Sequence, residues 1–497
     1  MSPPASRVHY PPALQAALDW LGALPAEDSL HDLAPMRKHI VAIADVGIPP
    51  LQHIKILELF EARAKLASGA VKPLLLDATL PVPKRLRIVA QGLMQIHRAI
   101  AAGYLKALRE APHGKFKSRT RTPARVCAAG IANLQQEYEV AQFVAATPGA
   151  DFWGLAEALY RIAAADMKSG PHSATAEVSD RMKALLALAA GQPEGFSPRE
   201  VAFLAAYLQR HAGAVEIQDA ASADRDDDYW LDSTHGFSPT ATVRRRATDA
   251  ALHFRCAGMS RLAREHLSQL GSGERPESLG VPRDALSADY CDVLSRAAVH
   301  WETPRLRRTN RRRHGYRVQV CTNLGRLWQY GGHDHGLTEG ELAASEWMVL
   351  NESASGYAIM HVAGELAGLV AGSAIGLRPA ADKKWSICIV RWARSDNPEH
   401  IELGLEVVAP QAEAVRIARR TAGGDSAPLP ALLLPPLAAI QRSEALLTAR
   451  GYFLPGPFTL INESSGRIQV AECAASHLQM HTACIEIFEF ERLRNPG

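Results

Sequence analysis

The chain has 497 residues and a mass of 53.8 kDa, enough for three or four domains. Hydrophobic residues make up 47% and charged residues 22%, the balance of globular proteins, which excludes wholesale disorder. With 55 basic against 52 acidic residues the formal charge is +3, too small for the whole molecule to attract nucleic acid, so electrostatic recognition must come from a local patch.

Residues 11–213 read as helix after helix. PPALQAALDWLGAL opens with prolines that suit a first helical turn and then repeats apolar residues at three and four spacing. The same period runs through LQHIKILELFEARAKLAS, KRLRIVAQGLMQIHRAIAAGYLKALREA, IANLQQEYEVAQFVAA, DFWGLAEALYRIAAADM, SDRMKALLALAA and SPREVAFLAAYLQRHAG. Ser179 with Asp180 and Ser197 with Pro198 mark starts, and Gly213 marks a stop. The expectation is an all-α domain over 1–218.

Between 219 and 247 the period breaks into an acidic run and turn formers, DAASADRDDDYWLD followed by STHGFSPTATVRRR, which reads as a linker. Tyr229 and Trp230 could anchor it or bind a partner. A helical connector is expected over 248–304. From about 315 strands take over: GYRVQVCTN, EWMVLNESASGYAIMHV, WSICIVRWARS and HIELGLEVVAP carry β-branched and aromatic residues between turns. This predicts a small antiparallel barrel or sandwich over 305–412, followed by a second β domain over 413–497. The fold class is therefore multi-domain α + β: a helical N-terminal half, an antiparallel β-barrel and a C-terminal β domain.

The longest mostly apolar stretch, Val362 to Leu377, is too short to span a membrane and contains Glu365. The start MSPPASRVHYPP lacks the layout of a signal peptide. Seven cysteines are scattered without a CxxC pair, the pattern of reduced thiols, so a cytoplasmic location is expected.

The densest local feature is ETPRLRRTNRRRHGYRVQV. Here Arg305, Arg307, Arg308, Arg311, Arg312, Arg313 and Arg317 place seven arginines in thirteen positions, with no lysine, just before a strand. Arginine offers a planar fork that meets phosphate oxygens or the O6/N7 edge of guanine bidentately and can stack on a purine. Downstream lies Asn351-Glu-Ser353-Ala-Ser-Gly356, with two short polar arms and a glycine that permits close backbone approach.

In this order, and followed by these strands, the two features resemble the PilZ domain, a bacterial receptor module for cyclic di-GMP. Its pattern is RxxxR leading into the first strand, then (D/N)xSxxG. Arg313 and Arg317, with Arg312 just before them, fit the first part, and Asn351, Ser353 and Gly356 the second. Arg308–Arg312 and Arg307–Arg311 also satisfy RxxxR; Arg313 and Arg317 are preferred because Tyr316-Arg317-Val318 runs straight into the strand. Gly372–Arg378, Cys388–Trp392 and Gly404–Val407 fit later barrel strands, and RLWQYGGHDHGLTEGE looks like an insertion between the motifs. The resemblance implies that Arg312, Arg313 and Arg317 grip phosphates and guanines, that Asn351 and Ser353 hold a base, and that Gly356 lets the backbone approach. Arg308 is the alternative arginine. It implies a non-enzymatic receptor with cyclic di-GMP as ligand and no cofactor, and an effector protein met through the helical half. The outputs would be motility, type IV pili or exopolysaccharide.

Two other readings stand beside it: nucleic-acid binding by the Arg305–Arg317 arm, and a metal-dependent enzyme using His333 and His335. Asn462–Gly466 mimics the second motif one residue short and reads as a turn. Glu444-Ala-Leu and Gly423-Gly-Asp echo signatures of cyclic di-GMP turnover, but too little chain follows either for such a domain. KFKSRTRTPAR at 115–125 reads as a basic loop between helices.

Overall fold

The computed structural model describes residues 10–23, 30–111, 122–167, 173–218, 228–232, 238–245, 247–248, 251–281, 288–302, 312–332, 344–366, 368–380, 383–397, 400–421, 424–437, 442–464 and 467–493. The N-terminal half is helical: α1 (Pro12–Gly22), α2 (Leu33–Ala44), α3 (Pro50–Leu76), α4 (Lys84–Glu110), α5 (Pro123–Phe143), α6 (Phe152–Met167), α7 (Ser173–Ala190) and α8 (Pro198–His211). Proline opens α1, α3, α5 and α8, where a missing N–H costs nothing. Ser197 begins α8 through a capping box, its N–H donating to Glu200 Oε2 at 2.7 Å and its Oγ accepting from the Glu200 N–H at 3.4 Å. Ser179 and Asp180, expected to start a helix, lie inside α7; the alanine-containing turn before them continues the helix upstream. The central helix is α5, buried nearly all round. A buried polar chain crosses it: Ser68 Oγ to His97 Nε2 at 2.8 Å, and His97 Nδ1 to Asn133 Oδ1 at 2.8 Å, tying α3, α4 and α5 together.

The stretch expected to be a linker contributes two strands, Asp228–Leu231 and Thr240–Ala241, to a small four-stranded antiparallel sheet. β1 (Glu216–Gln218), β2 (Asp228–Leu231), β3 (Thr240–Ala241) and β4 (Leu252–Arg255) pair in the order β1-β4-β2-β3. The acidic run ends in a buried strand because Asp228 finds Arg255 at 2.9 Å, and a paired carboxylate can leave water. Tyr229 donates to His300 O at 2.7 Å and Trp230 Nε1 to Arg245 O at 2.8 Å, so both anchor within the chain. The helical stretch read from residue 248 likewise begins with strand β4. The helices α9 (Ala257–Gly271) and α10 (Ala288–Glu302) follow.

The middle unit comprises β5 (Arg312–Arg313), β6 (Arg317–Cys321), α11 (Leu324–Gly332), β7 (Ser345–Ser353), β8 (Gly356–Ala363), β9 (Ala374–Arg378), β10 (Ser386–Asn397) and β11 (His400–Ala409). Its strands run β7-β6-β9-β10-β11-β8 and return to β7, a closed antiparallel barrel without a free edge. The C-terminal unit repeats the scheme with β12 (Glu413–Thr421), β13 (Gly424–Asp425), β14 (Leu429–Leu434), β15 (Ala445–Ala449), β16 (Gly456–Ser464), β17 (Arg467–His481) and β18 (Ile485–Arg492). Six strands close as β12-β14-β15-β18-β17-β16 back to β12, and β13 pairs with the end of β12. The motif-like Asn462 lies in β16 at its hairpin with β17, and Ala445 and Leu446 are buried in β15.

These units share cores. One apolar cluster runs from the helical half into the middle barrel, and another joins the two barrels. At the first junction Arg87 is 3% exposed and donates to Ser395 O at 2.7 Å and Ser395 Oγ at 2.8 Å. Ser395 N–H donates to Ala145 O at 2.7 Å, and Leu80 and Leu369 exchange two backbone hydrogen bonds. Thr147 donates through its N–H and its Oγ1 to Asp396. At the second junction Trp328 of α11 donates to Val415 O at 2.7 Å and Thr482 to Gly372 O at 2.8 Å. The first part of the expected insertion is thus a helix that fastens one barrel to the next.

Candidate functional site

β7 presents the site. Its edge pairs with β6 through Arg317↔Met348, and the same edge continues with β5 through Arg313↔Asn351 and Arg312↔Glu352. Between them His314, Gly315 and Tyr316 bulge out, while the His314 N–H still reaches Leu350 O and the Val349 N–H reaches Tyr316 O. The two motifs, far apart in sequence, are therefore neighbours: Arg313 stands directly opposite Asn351. On its other edge β7 turns back into β8, closing with Ser353↔Gly356.

Arg312, Arg313 and Arg317 are exposed. Arg317 Nη1 donates to both carboxylate oxygens of Glu346, at 2.9 and 2.8 Å. Asn351 Oδ1 is buried and accepts no hydrogen bond among the described residues, an unsatisfied acceptor of the kind that a ligand or water completes. Tyr316 donates to Glu352 Oε2 at 2.6 Å, and His314 Nε2 lies 3.2 Å from Glu352 Oε1. Partial burial, then the Glu352 carboxylate, raises the Tyr316 phenol well above its ordinary range, so it remains a neutral donor. The site thus combines guanidiniums, a buried amide acceptor without a partner among the described residues, and a ring between two motif arginines, a set that can meet phosphates, hydrogen-bonding base edges and a flat purine face.

Ser353 donates to Gly356 O at 3.2 Å, and the Val407 N–H donates to Ser355 O at 3.0 Å, so the turn is fixed to β11. Gly356 is required by that packing: a Cβ there would lie 2.0 Å from Leu405 O. The close approach it allows is that of β11. Gly404 likewise admits the Trp392 indole, whose Nε1 would be 1.8 Å from an added Cβ, which explains the tryptophan and glycine of the later barrel strands. Arg305, Arg307, Arg308 and Arg311 lie outside the described residues, as do His333 and His335. Among the described residues no group of three or more His, Cys, Asp or Glu side chains could hold a metal ion, and no helix is long and apolar enough to cross a membrane. His314, Tyr316, Glu346 and Glu352 belong to the site's immediate surroundings and were not singled out by sequence reasoning. Glu352 sits inside the second motif, but Glu346 becomes visible only once the β6–β7 register is known.

The middle unit matches a model described as the middle PilZ domain of the cyclic-di-GMP receptor FimW, over residues 250–414. Residues 250–414 belong to the PilZ-domain family. The units on either side match the companion models of that arrangement: the FimW N-terminal domain over 15–223 and the FimW C-terminal beta-barrel domain over 414–493. A curated relative, the cyclic-di-GMP receptor FimW of Pseudomonas aeruginosa, is 35% identical over 116 residues, which is 23% of this chain and 19% of that protein. The chain thus spans about a fifth of the length of the curated relative it matches.

Proposed function

We propose that this chain is a non-catalytic, cytoplasmic receptor for cyclic di-GMP, with Arg312, Arg313, Arg317, Asn351, Ser353 and Gly356 forming its binding site. The observation that carries this reading is the register of Arg313 opposite Asn351. It puts Arg312 and Arg313 beside the second motif on one barrel edge, next to a buried acceptor that lacks a partner among the described residues. The ligand class has two phosphates and two guanines. Exposed arginine forks suit the phosphates and the O6/N7 edges, while Asn351 Oδ1 suits a guanine N–H donor. Each charge-assisted hydrogen bond contributes on the order of 1.5–3 kcal/mol, so removing one motif arginine lowers affinity about tenfold or more.

The output runs along the connection from α10 to β5. α10 is fastened to the helical half, with Trp301 Nε1 donating to Ala187 O at 2.8 Å and Arg296 paired to Glu200. A ligand that grips Arg312 and Arg313 therefore acts on the strand that follows α10 in the chain. The helical half would meet the effector, with motility, type IV pilus or exopolysaccharide control as the output. The test is competition: labelled cyclic di-GMP bound to wild type should be displaced by unlabelled cyclic di-GMP but not by GTP, and Asn351→Ala should weaken it about tenfold. Displacement by GTP with equal potency would remove cyclic di-GMP as the specific ligand.

A further inference from the structure

The segment between the two motif arginines carries one residue more than the strand it pairs with. From Arg313 to Arg317 the chain takes four steps, while β7 takes three from Asn351 to Met348. The surplus makes the bulge His314-Gly315-Tyr316, and a bulge bends and twists its strand. Its shape therefore sets how far apart the two guanidiniums stand and where each one points.

Two backbone hydrogen bonds pin the bulge, His314 N–H to Leu350 O at 3.2 Å and Val349 N–H to Tyr316 O at 2.9 Å. Gly315 sits between them, and a glycine leaves the backbone free to move. Side chains supply further restraint, and they converge on Glu352. Tyr316 Oη donates to its Oε2 at 2.6 Å, and His314 Nε2 stands 3.2 Å from its Oε1. One carboxylate on β7 thus holds both flanks of the glycine. The His314 and Tyr316 rings meet edge to face, 5.7 Å between centroids, which closes the triangle.

Charge alone gives no reason for Glu352 to be there. It stands opposite Arg312 in the ladder, where a carboxylate repels phosphate and competes for arginine. Its side chain is 34% exposed, held against the bulge and not spread into water. With the phenol fixed, the Tyr316 ring is still 36% exposed, enough to receive a purine face between the arginines. We infer that Glu352 is a positioning residue of this site: by holding Tyr316 and His314 it sets the spacing of Arg313 and Arg317 and the pose of the ring between them. This role rests on the receptor reading, and its sign is opposite to that of simple electrostatics. Removing a negative charge beside a dianionic ligand tightens binding; removing the brace loosens it.

The test is a set of cyclic di-GMP affinities for the full chain, measured on folded variants. Glu352→Ala and Tyr316→Phe should each weaken binding about tenfold, the worth of one hydrogen bond to a charged group. The double variant should be no weaker than either, since both changes remove the same bond. Glu352→Gln loses the same charge but keeps an oxygen for the Tyr316 hydroxyl, so it should recover most of the loss seen in Glu352→Ala. Without ligand, the Val349 amide should exchange about tenfold faster in Glu352→Ala and in Tyr316→Phe than in wild type. Tighter or unchanged binding by Glu352→Ala would overturn the proposal. So would a loss that Glu352→Gln does not relieve, a loss that adds to that of Tyr316→Phe, or unchanged exchange at Val349. No binding by folded wild type marks the failure of the receptor reading, and this role falls with it. Binding by wild type with any of those contrary results marks the failure of this role alone.

Discussion

Replacing Arg87 by methionine isolates the contact that joins the helical half to the middle barrel. The stem is kept and the guanidinium removed, so two hydrogen bonds to Ser395, at 2.7 and 2.8 Å, are lost. At about 1.5–3 kcal/mol for each bond from a charged donor, the gross loss is about 3–6 kcal/mol. Part is returned because a buried guanidinium is itself costly, as its burial-lowered pKa records, leaving a net of about 2–4 kcal/mol. The assay is amide hydrogen exchange at Ser395, whose N–H donates across the junction to Ala145 O. Because every 1.4 kcal/mol is a factor of ten, exchange there should quicken about 30- to 700-fold while the C-terminal barrel is unaffected. An exchange rate within about threefold of wild type, in a folded protein, would refute the argument that Arg87 holds this junction.

Gly356→Ala drives a Cβ to 2.0 Å from Leu405 O and should destabilise the middle barrel by about 1–3 kcal/mol. Gly92→Ala, where nothing lies within 4 Å, should raise stability by up to about 1 kcal/mol through helix propensity; calorimetric melting separates the two. Glu346→Gln frees Arg317 from an exposed carboxylate, so cyclic di-GMP should bind up to about fivefold tighter, an exposed pair being worth at most about 1 kcal/mol. Unchanged affinity would mean the pair does not compete with ligand. His97 is buried, and burial lowers its pKa below 6.5 against a smaller opposing effect of Asn133. Burial shifts His53, His211 and His266 the same way. A lowered folded value means that the stability is complete above 6.5 and is lost as pH falls from there through the folded value. Wild type should therefore lose more of its melting temperature between about pH 7.5 and 5.5 than His97→Gln does, and equal losses would exclude His97 as the source.

Much of this was legible in the residues. The helical period over 11–213, the change to β-branched segments after 315, and the RxxxR and NxSxxG spacings each have a local physical cause that survives folding. What escaped is what register and long-range pairing decide. The sheet β1–β4 was hidden because its strands are two to four residues long and β2 follows an acidic run, which looks like linker until Arg255 arrives from a distant strand. Ser179 resembled a cap because capping residues also occur inside helices. Glu346 was invisible as a neighbour of Arg317, since only the Arg317↔Met348 pairing brings its side chain into reach. Gly356 was expected to permit a close backbone approach, and what the fold brings close there is the carbonyl of Leu405.

The most direct test of the receptor reading is a calorimetric titration of cyclic di-GMP into wild type and into the Arg313→Ala/Arg317→Ala double variant. The account predicts micromolar or tighter binding to wild type and a loss of about a hundredfold or more in the variant, because two charge-assisted contacts disappear together. Equal binding by both proteins, or no heat with folded wild type, would contradict it.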